Sequence, residues 1–121
     1  MTLRCLIVDD NTRFLDAARG LLERQAVTVV GVASTGADAV RQDSRLRPDV
    51  VLLDIDLGGE SGFEVARQLR PEAEIIMVSA HAAEDYVDLV EASPAIGFLA
   101  KTALSGRAVR DLLDAHRRTD G

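Results

Sequence analysis

Four short stretches each set a chemically capable residue at the end of a buried, strand-like run: Val8-Asp9-Asp10, Leu53-Asp54-Ile55-Asp56, Val78-Ser79 and Leu99-Ala100-Lys101. Asp9 and Asp10 are adjacent acids, and carboxylates held together at one strand end repel unless a cation lies between them. Such oxygen ligands suit Mg²⁺, which keeps several waters and takes one or two protein carboxylates beside phosphate oxygens. Mn²⁺ is a second candidate. Asp54 offers a carboxylate able to attack phosphorus and form an aspartyl phosphate. A Ser79 hydroxyl can donate to a phosphoryl oxygen, and the Lys101 ammonium can pair first with a carboxylate and then with a phosphoryl group. Each residue alone has a plainer reading: Asp10 as a helix cap, Asp54 as a turn former before Gly58-Gly59, Ser79 and Lys101 as loop and surface residues. Their corresponding positions at successive strand ends are what join them.

Convergence requires a parallel sheet, in which ligands bind in the crevice outside the carboxyl ends of the strands. The apolar runs 3–8, 27–32, 50–53, 75–78 and 96–99 alternate with helical periods, the pattern of a sheet with helical crossovers. These runs are short and rich in β-branched residues, which predicts strands buried on both faces. Phe14, Ala17, Ala18, Leu21 and Leu22 form a stripe at helical spacing after the first strand. Val65, Ala66 and Leu69 form a shorter one that Pro71 stops, and Val109, Leu112, Leu113 and His116 share a face in the last helix. Asn11 or Thr12, Thr35 and Ser105 are the candidate helix caps. The stretch 82–93 has only a partial stripe (Tyr86, Leu89, Val90, Ser93), so the fourth helix should be the least firmly packed.

At 121 residues the chain fits one domain, and 47% hydrophobic with 28% charged residues is an ordinary globular composition. A net charge of −6 with a pI near 4.8 argues against direct nucleic-acid binding by this chain. No apolar run approaches the ~20 residues needed to cross a bilayer, and the N-terminus lacks a signal-peptide layout, so no membrane association and a cytoplasmic location are expected. The single cysteine, Cys5, excludes an internal disulfide and alternates with Leu3 and Ile7 as a core residue.

Taken with Ser61-Gly62-Phe63-Glu64, Ser79-Ala80 and Gly97-Phe98-Leu99-Ala100-Lys101, the stretches Leu6-Ile7-Val8-Asp9-Asp10 and Pro48-Asp49-Val50-Val51-Leu52-Leu53-Asp54 resemble the response-regulator receiver domains of two-component signalling. The resemblance covers nearly the whole chain, most closely receivers of NarL/FixJ-type transcription regulators. It implies an α/β fold, a flavodoxin-like (βα)₅ doubly wound three-layer sandwich on a five-stranded parallel sheet of order 2-1-3-4-5. It implies a receiver over residues 1–118, with 119–121 a C-terminal tail or the start of a linker. It further implies that Asp54 accepts a phosphoryl group from a histidine kinase or phosphotransfer protein. By the same match Asp9, Asp10 and Asp54 hold Mg²⁺ with the backbone carbonyl of Asp56, Ser79 and Lys101 contact the phosphoryl group, and Ser79 with Phe98 forms the switch. Such a chain is a self-phosphorylating and self-dephosphorylating switch rather than a turnover enzyme. It controls transcription through a DNA-binding domain outside this sequence and can form a homodimer through the fourth and fifth helices.

Three positions depart from the family pattern. Thr102 follows Lys101 where a proline supporting a cis peptide is usual, and a cis bond before Thr102 would cost ~3 kcal/mol. Gly58 replaces a common proline and is expected to loosen its loop. Asp56, with His81 across the site, is a candidate for tuning phosphoryl lifetime. Two other functions compete. Asp54-Ile55-Asp56 superficially resembles the nucleophile motif of haloacid-dehalogenase-type phosphatases, although there the motif follows the first strand, and no cap domain fits here. A receiver-fold interaction module independent of phosphorylation usually lacks one of the acids or the lysine, and this chain lacks none. Dinucleotide binding fails because Val8-Asp9-Asp10-Asn11 replaces the Gly-rich turn.

Overall fold

The computed structural model describes residues 2–120. The expected parallel sheet is present: β1 (Leu3–Val8), β2 (Val27–Ala33), β3 (Val50–Asp54), β4 (Glu74–Ser79) and β5 (Gly97–Ala100) pair in the order β2-β1-β3-β4-β5. All four pairings are parallel. Helices α1 (Thr12–Arg24), α2 (Gly36–Leu46), α3 (Gly62–Ala66), α4 (Val87–Glu91) and α5 (Gly106–Asp120) form the crossovers and the closing helix.

Strand side chains point alternately to opposite faces, so each central strand feeds two cores. Leu6, Val8, Val51, Leu53, Ile75 and Met77 pack with Ala39 of α2 and Phe63, Val65 and Ala66 of α3. Cys5, Ile7, Val50, Leu52, Ile76 and Val78 pack with Leu15, Ala18 and Leu22 of α1 and Val109 and Leu113 of α5. Burial pushes the Cys5 thiol up to about 12, in keeping with an inert core residue.

Burial on both faces holds for β3 and most of β1 and β4, but not at the sheet edges. Every residue of β5 and part of β2 is only half-buried, because an edge strand lacks a neighbour on one side. In α1 the buried positions are Leu15, Ala18 and Leu22, whereas Ala17, expected on that stripe, faces solvent. The stripe is rotated toward Leu15, which lies three residues before Ala18, itself four before Leu22, so the three share one helix face. Helix α3 ends at Ala66, ahead of Leu69 and Pro71, and α4 has no buried residue, as the weak periodicity implied.

Of the candidate caps, Asn11 serves α1, its side chain accepting from Arg13 N (3.0 Å) and Phe14 N (3.2 Å), in place of Asp10 or Thr12. Thr35 accepts from Asp38 N and Ser105 from Ala108 N, as expected. Residues 117–120 form the last turn of α5, and Arg117 pairs with Glu74 at 2.9 Å. Met1 and Gly121, the ends of the expected receiver and tail, lie outside the described residues.

One buried charge went unforeseen. Asp43 on α2 is 1% exposed and accepts from Arg70 N (2.8 Å) and Arg70 Nε (3.1 Å), stapling α2 to the segment leading into β4. Removing one partner of a buried pair strands the other. The Asp43→Ala variant should therefore lose about 2–4 kcal/mol of stability, read as a lowered urea midpoint. Arg41→Ala, which breaks an exposed pair with Asp38, should cost under ~1 kcal/mol. Equal losses in the two variants would refute the staple.

Candidate functional site

The carboxyl ends of β1, β3, β4 and β5 meet along one edge of the sheet, and each delivers a polar side chain there. Asp9 follows β1 directly, its N–H donating to Ala33 O of β2 at 3.0 Å. Asp54 and Ser79 are the last residues of β3 and β4. Lys101 follows β5 and opens a 3₁₀ turn, Lys101–Ala103, entered through a trans peptide on either side. Register carries the groups to one end of the sheet, stepping up by at most a residue per strand: Val8 lies opposite Leu53, Asp54 opposite Val78, and Ser79 opposite Ala100.

Asp9, Asp54 and Ser79 are buried, at 0%, 6% and 3% exposure, while Asp10 reaches solvent. One ammonium serves both buried acids. Lys101 Nζ lies 2.6 Å from Asp9 Oδ2 and 3.4 Å from Asp54 Oδ2. Asp9 Oδ1 accepts from Asn11 N at 2.8 Å, but Asp9 Oδ2, despite its ion pair, has no aligned hydrogen-bond donor. Asp54 Oδ1 accepts from Asp56 N at 3.2 Å. Burial and the nearby Asp9 charge raise the Asp54 carboxyl from its ordinary 3.8 to about 6, against the opposing pull of the Asp56 N–H and Lys101. For Lys101, burial opposes the charge, but Asp9 and Asp54 outweigh it and raise the ammonium's pKa.

Ligand atoms of Asp9, Asp10 and Asp54 lie within 4.8 Å of one another, the one such acidic or metal-ligating group among the described residues. Three hard oxygens, with one ammonium for two buried acids, fit a divalent cation such as Mg²⁺ or Mn²⁺. Asp10 and Asp54, with Asn11, Asp56, Gly58, Ser79, His81 and Lys101, line a depression of about 280 Å³, and Asp9 lies buried beside it. A second depression of about 210 Å³, between Leu3, Asp49, Arg110 and Arg117, brings together no comparable set of acids, hydroxyl and ammonium.

The loop after Asp54 is tied rather than loose, contrary to what Gly58 suggested. Leu57 N donates to Glu60 O (3.0 Å), Gly62 N to Ile55 O (2.7 Å), and Glu60 Oε1 accepts from Gly36 N at the start of α2 (3.0 Å). Glycine suits the backbone path at Gly58: its φ is +60°, strained for a side-chain-bearing residue, and a Cβ there would stand 2.7 Å from Asp10 Oδ2. The Glu60 contact spans 24 residues and had no signal in the sequence.

Asp56 and His81 are exposed on the rim, and His81 N donates to Ser79 Oγ at 3.0 Å. Phe98 is half-buried on β5, its ring stacked on Tyr86 with centroids 6.2 Å apart. Sequence reasoning assigned Phe14 only to the core stripe. In the structure its ring lies under the Lys101 ammonium, 4.5 Å from Nζ to the centroid. Its place in the first helical turn after the acid pair was the available clue.

The family model of the response regulator receiver domain matches residues 5–113. The chain is 32% identical over 105 residues to the transcriptional regulatory protein LiaR of Bacillus subtilis (strain 168), covering 84% of this chain and 50% of that protein. It is 35% identical over 82 residues to protein-glutamate methylesterase/protein-glutamine glutaminase 2 of Koribacter versatilis (strain Ellin345), covering 65% of this chain and 23% of that protein. The crystal structure of a two-component response regulator, LuxR family, from Aurantimonas sp. SI85-9A1 superposes with a TM-score of 0.84 at 26% identity, covering 97% of this chain and 86% of that one. The chain spans half or less of the length of these two curated relatives.

The raised Asp54 pKa makes stability depend on pH in a definite direction when no divalent cation is present. Below about pH 4 the carboxyl is protonated in both folded and unfolded chains. Between about 4 and 6 the unfolded chain ionises first, so stability falls as pH rises, and above about 6 the full penalty holds. With chelator present, Asp54→Asn should be more stable than wild type at pH 7.5 by on the order of 2–3 kcal/mol, with the gap closing toward pH 4. A gap independent of pH in paired urea titrations would refute the assignment.

Proposed function

The chain belongs to the response regulator receiver domain family of two-component systems, and from that membership we propose that it is a phosphoryl-accepting switch with Asp54 as the acceptor. One observation carries the reading: a buried Asp54 carboxylate stands with the Asp9 carboxylate at a single ammonium, in a crevice that Ser79 also lines.

In the proposed step an Asp54 carboxylate oxygen attacks phosphorus. The bond from phosphorus to the donor's nitrogen or oxygen breaks, and the donor group leaves with that electron pair. Asp9, Asp10 and Asp54, with the Asp56 carbonyl, would hold Mg²⁺, which when bound offsets the negative charge gathering on the phosphoryl oxygens. The Lys101 ammonium pairs with the Asp54 carboxylate before transfer and with a phosphoryl oxygen afterwards. Ser79 Oγ, which now accepts from His81 N, donates its proton to another phosphoryl oxygen. Turning Ser79 inward draws on its contact with the 79–81 turn and opens room for Phe98, whose stacking on Tyr86 links β5 to the entry of α4. Asp56 and His81, on the rim, are the residues to govern water access and so the lifetime of the phosphoryl group.

The donor is a histidine kinase or phosphotransfer protein, and the receiver unit covers residues 1–118 with 119–121 a C-terminal tail or the start of a linker. The output is transcription through a DNA-binding domain outside this sequence, a reading supported by the likeness to LiaR and to a LuxR-family regulator. A homodimer through α4 and α5 is part of the same proposal, as is a cytoplasmic location.

Incubation with acetyl phosphate and Mg²⁺, read by intact mass, tests the reading. A single phosphoryl adduct is expected, failing to form when chelator is present during the incubation and absent in Asp54→Asn. An adduct that persists in Asp54→Asn would move the acceptor elsewhere. No adduct in folded wild type, beside a reactive control receiver, would favour an interaction module independent of phosphorylation.

A further inference from the structure

We propose that Phe14 is a positioning residue for the phosphoryl site, its ring holding the Lys101 ammonium over the Asp9–Asp54 pair. The functional consequence rests on Asp54 being the phosphoacceptor; the contact itself does not.

Lys101 Nζ has three close partners: Asp9 Oδ2 at 2.6 Å, Asp54 Oδ2 at 3.4 Å and the Phe14 ring centroid at 4.5 Å. The ring distance is well inside the ~6 Å reach of cation–π attraction, which strengthens as the pair loses water. Here the lysine side chain is only 18% exposed. A lysine carries a flexible four-carbon stem and a strongly hydrated head, so two carboxylates alone leave it a route back to solvent. An aromatic face opposes that route without neutralising the charge or competing for its N–H donors. The ammonium stays in the crevice and remains free to turn from a carboxylate to a phosphoryl oxygen, which a third carboxylate in place of the ring would prevent.

The first turn of α1 sets the ring's position. Asp9 Oδ1 accepts from Asn11 N at 2.8 Å, and Asn11 Oδ1 accepts from Phe14 N at 3.2 Å. Two hydrogen bonds therefore tie the backbone of Phe14 to the same carboxylate that holds the ammonium. The ring is partly buried against the α1/α5 core, which limits its motion. A leucine would fill that space equally well but offers no quadrupole to a cation. The distinction between packing and positioning can therefore be measured.

Lys101 is the only lysine in the sequence, so protein labelled with ¹³C-lysine gives one lysine Cε–Hε signal. In wild type the ring should shift that signal away from the free-lysine position. Phe14→Leu should return it toward that position and slow Mg²⁺-dependent phosphoryl uptake from acetyl phosphate roughly threefold to tenfold. Phe14→Tyr, which keeps the aromatic face, should restore both. A free-lysine signal in wild type overturns the contact. A signal that moves in Phe14→Leu with no change in rate, or a rate that Phe14→Tyr fails to restore, overturns the positioning role and leaves Phe14 a packing residue. If wild type shows the shifted signal but takes up no phosphoryl group while a control receiver does, the reading of Asp54 falls, and the positioning role for uptake falls with it.

Discussion

Two buried carboxylates share one ammonium, and much of the site follows from that shortage of positive charge. Burial and the neighbouring Asp9 charge penalise the ionised Asp54 carboxyl, and Lys101 compensates only part of the cost. The deficit has one structural cause. A parallel sheet aligns the carboxyl ends of its strands, so residues distant in sequence are driven together whether or not their charges agree. A divalent cation at this edge would offset the deficit directly.

The Asp43–Arg70 pair shows what a satisfied buried charge looks like in the same molecule. Asp43 accepts two hydrogen bonds from its partner residue, one from backbone and one from side chain. Asp9 Oδ2 has a charge beside it and no aligned donor. The first arrangement is closed and joins two elements. The second leaves ligand capacity unspent, the usual mark of a site built for something that comes and goes.

Packing is unevenly distributed around this edge. Helices α1, α2, α3 and α5 each bury residues in one of the two cores, whereas α4 buries none, and Val87 and Leu89 on it are about half exposed. Beside it β5 is half-buried throughout, with Phe98 stacked on Tyr86. Elements with few buried contacts rearrange at low free-energy cost. The β5–α4 side is therefore the less firmly packed flank of the site, and the β1–β3 side the more firmly packed one.

Much of this architecture is written in local pattern. Short β-branched runs broken by helical periods dictate a parallel sheet, and Asp9, Asp10, Asp54, Ser79 and Lys101 stand out because each follows such a run. Asn11, Thr35 and Ser105 could be read as caps because a cap acts within three residues of itself. The weakness of α4 was likewise legible as missing periodicity. What the sequence could not specify depends on approach between distant segments. The rotation of α1 that buries Leu15 and exposes Ala17 depends on the neighbours it meets, and so does the half-burial of β5 at the sheet edge. The Asp43–Arg70 staple and the Glu60 tie to α2 join residues 27 and 24 positions apart, with no periodic signal to announce them. The Phe14 ring meets the Lys101 ammonium only because the sheet brings β1 and β5 to one edge. Local periodicity thus determined which elements form and which residues end the strands; tertiary packing alone decided which of those groups touch, because only the folded chain sets the distances on which charge and aromatic attraction depend.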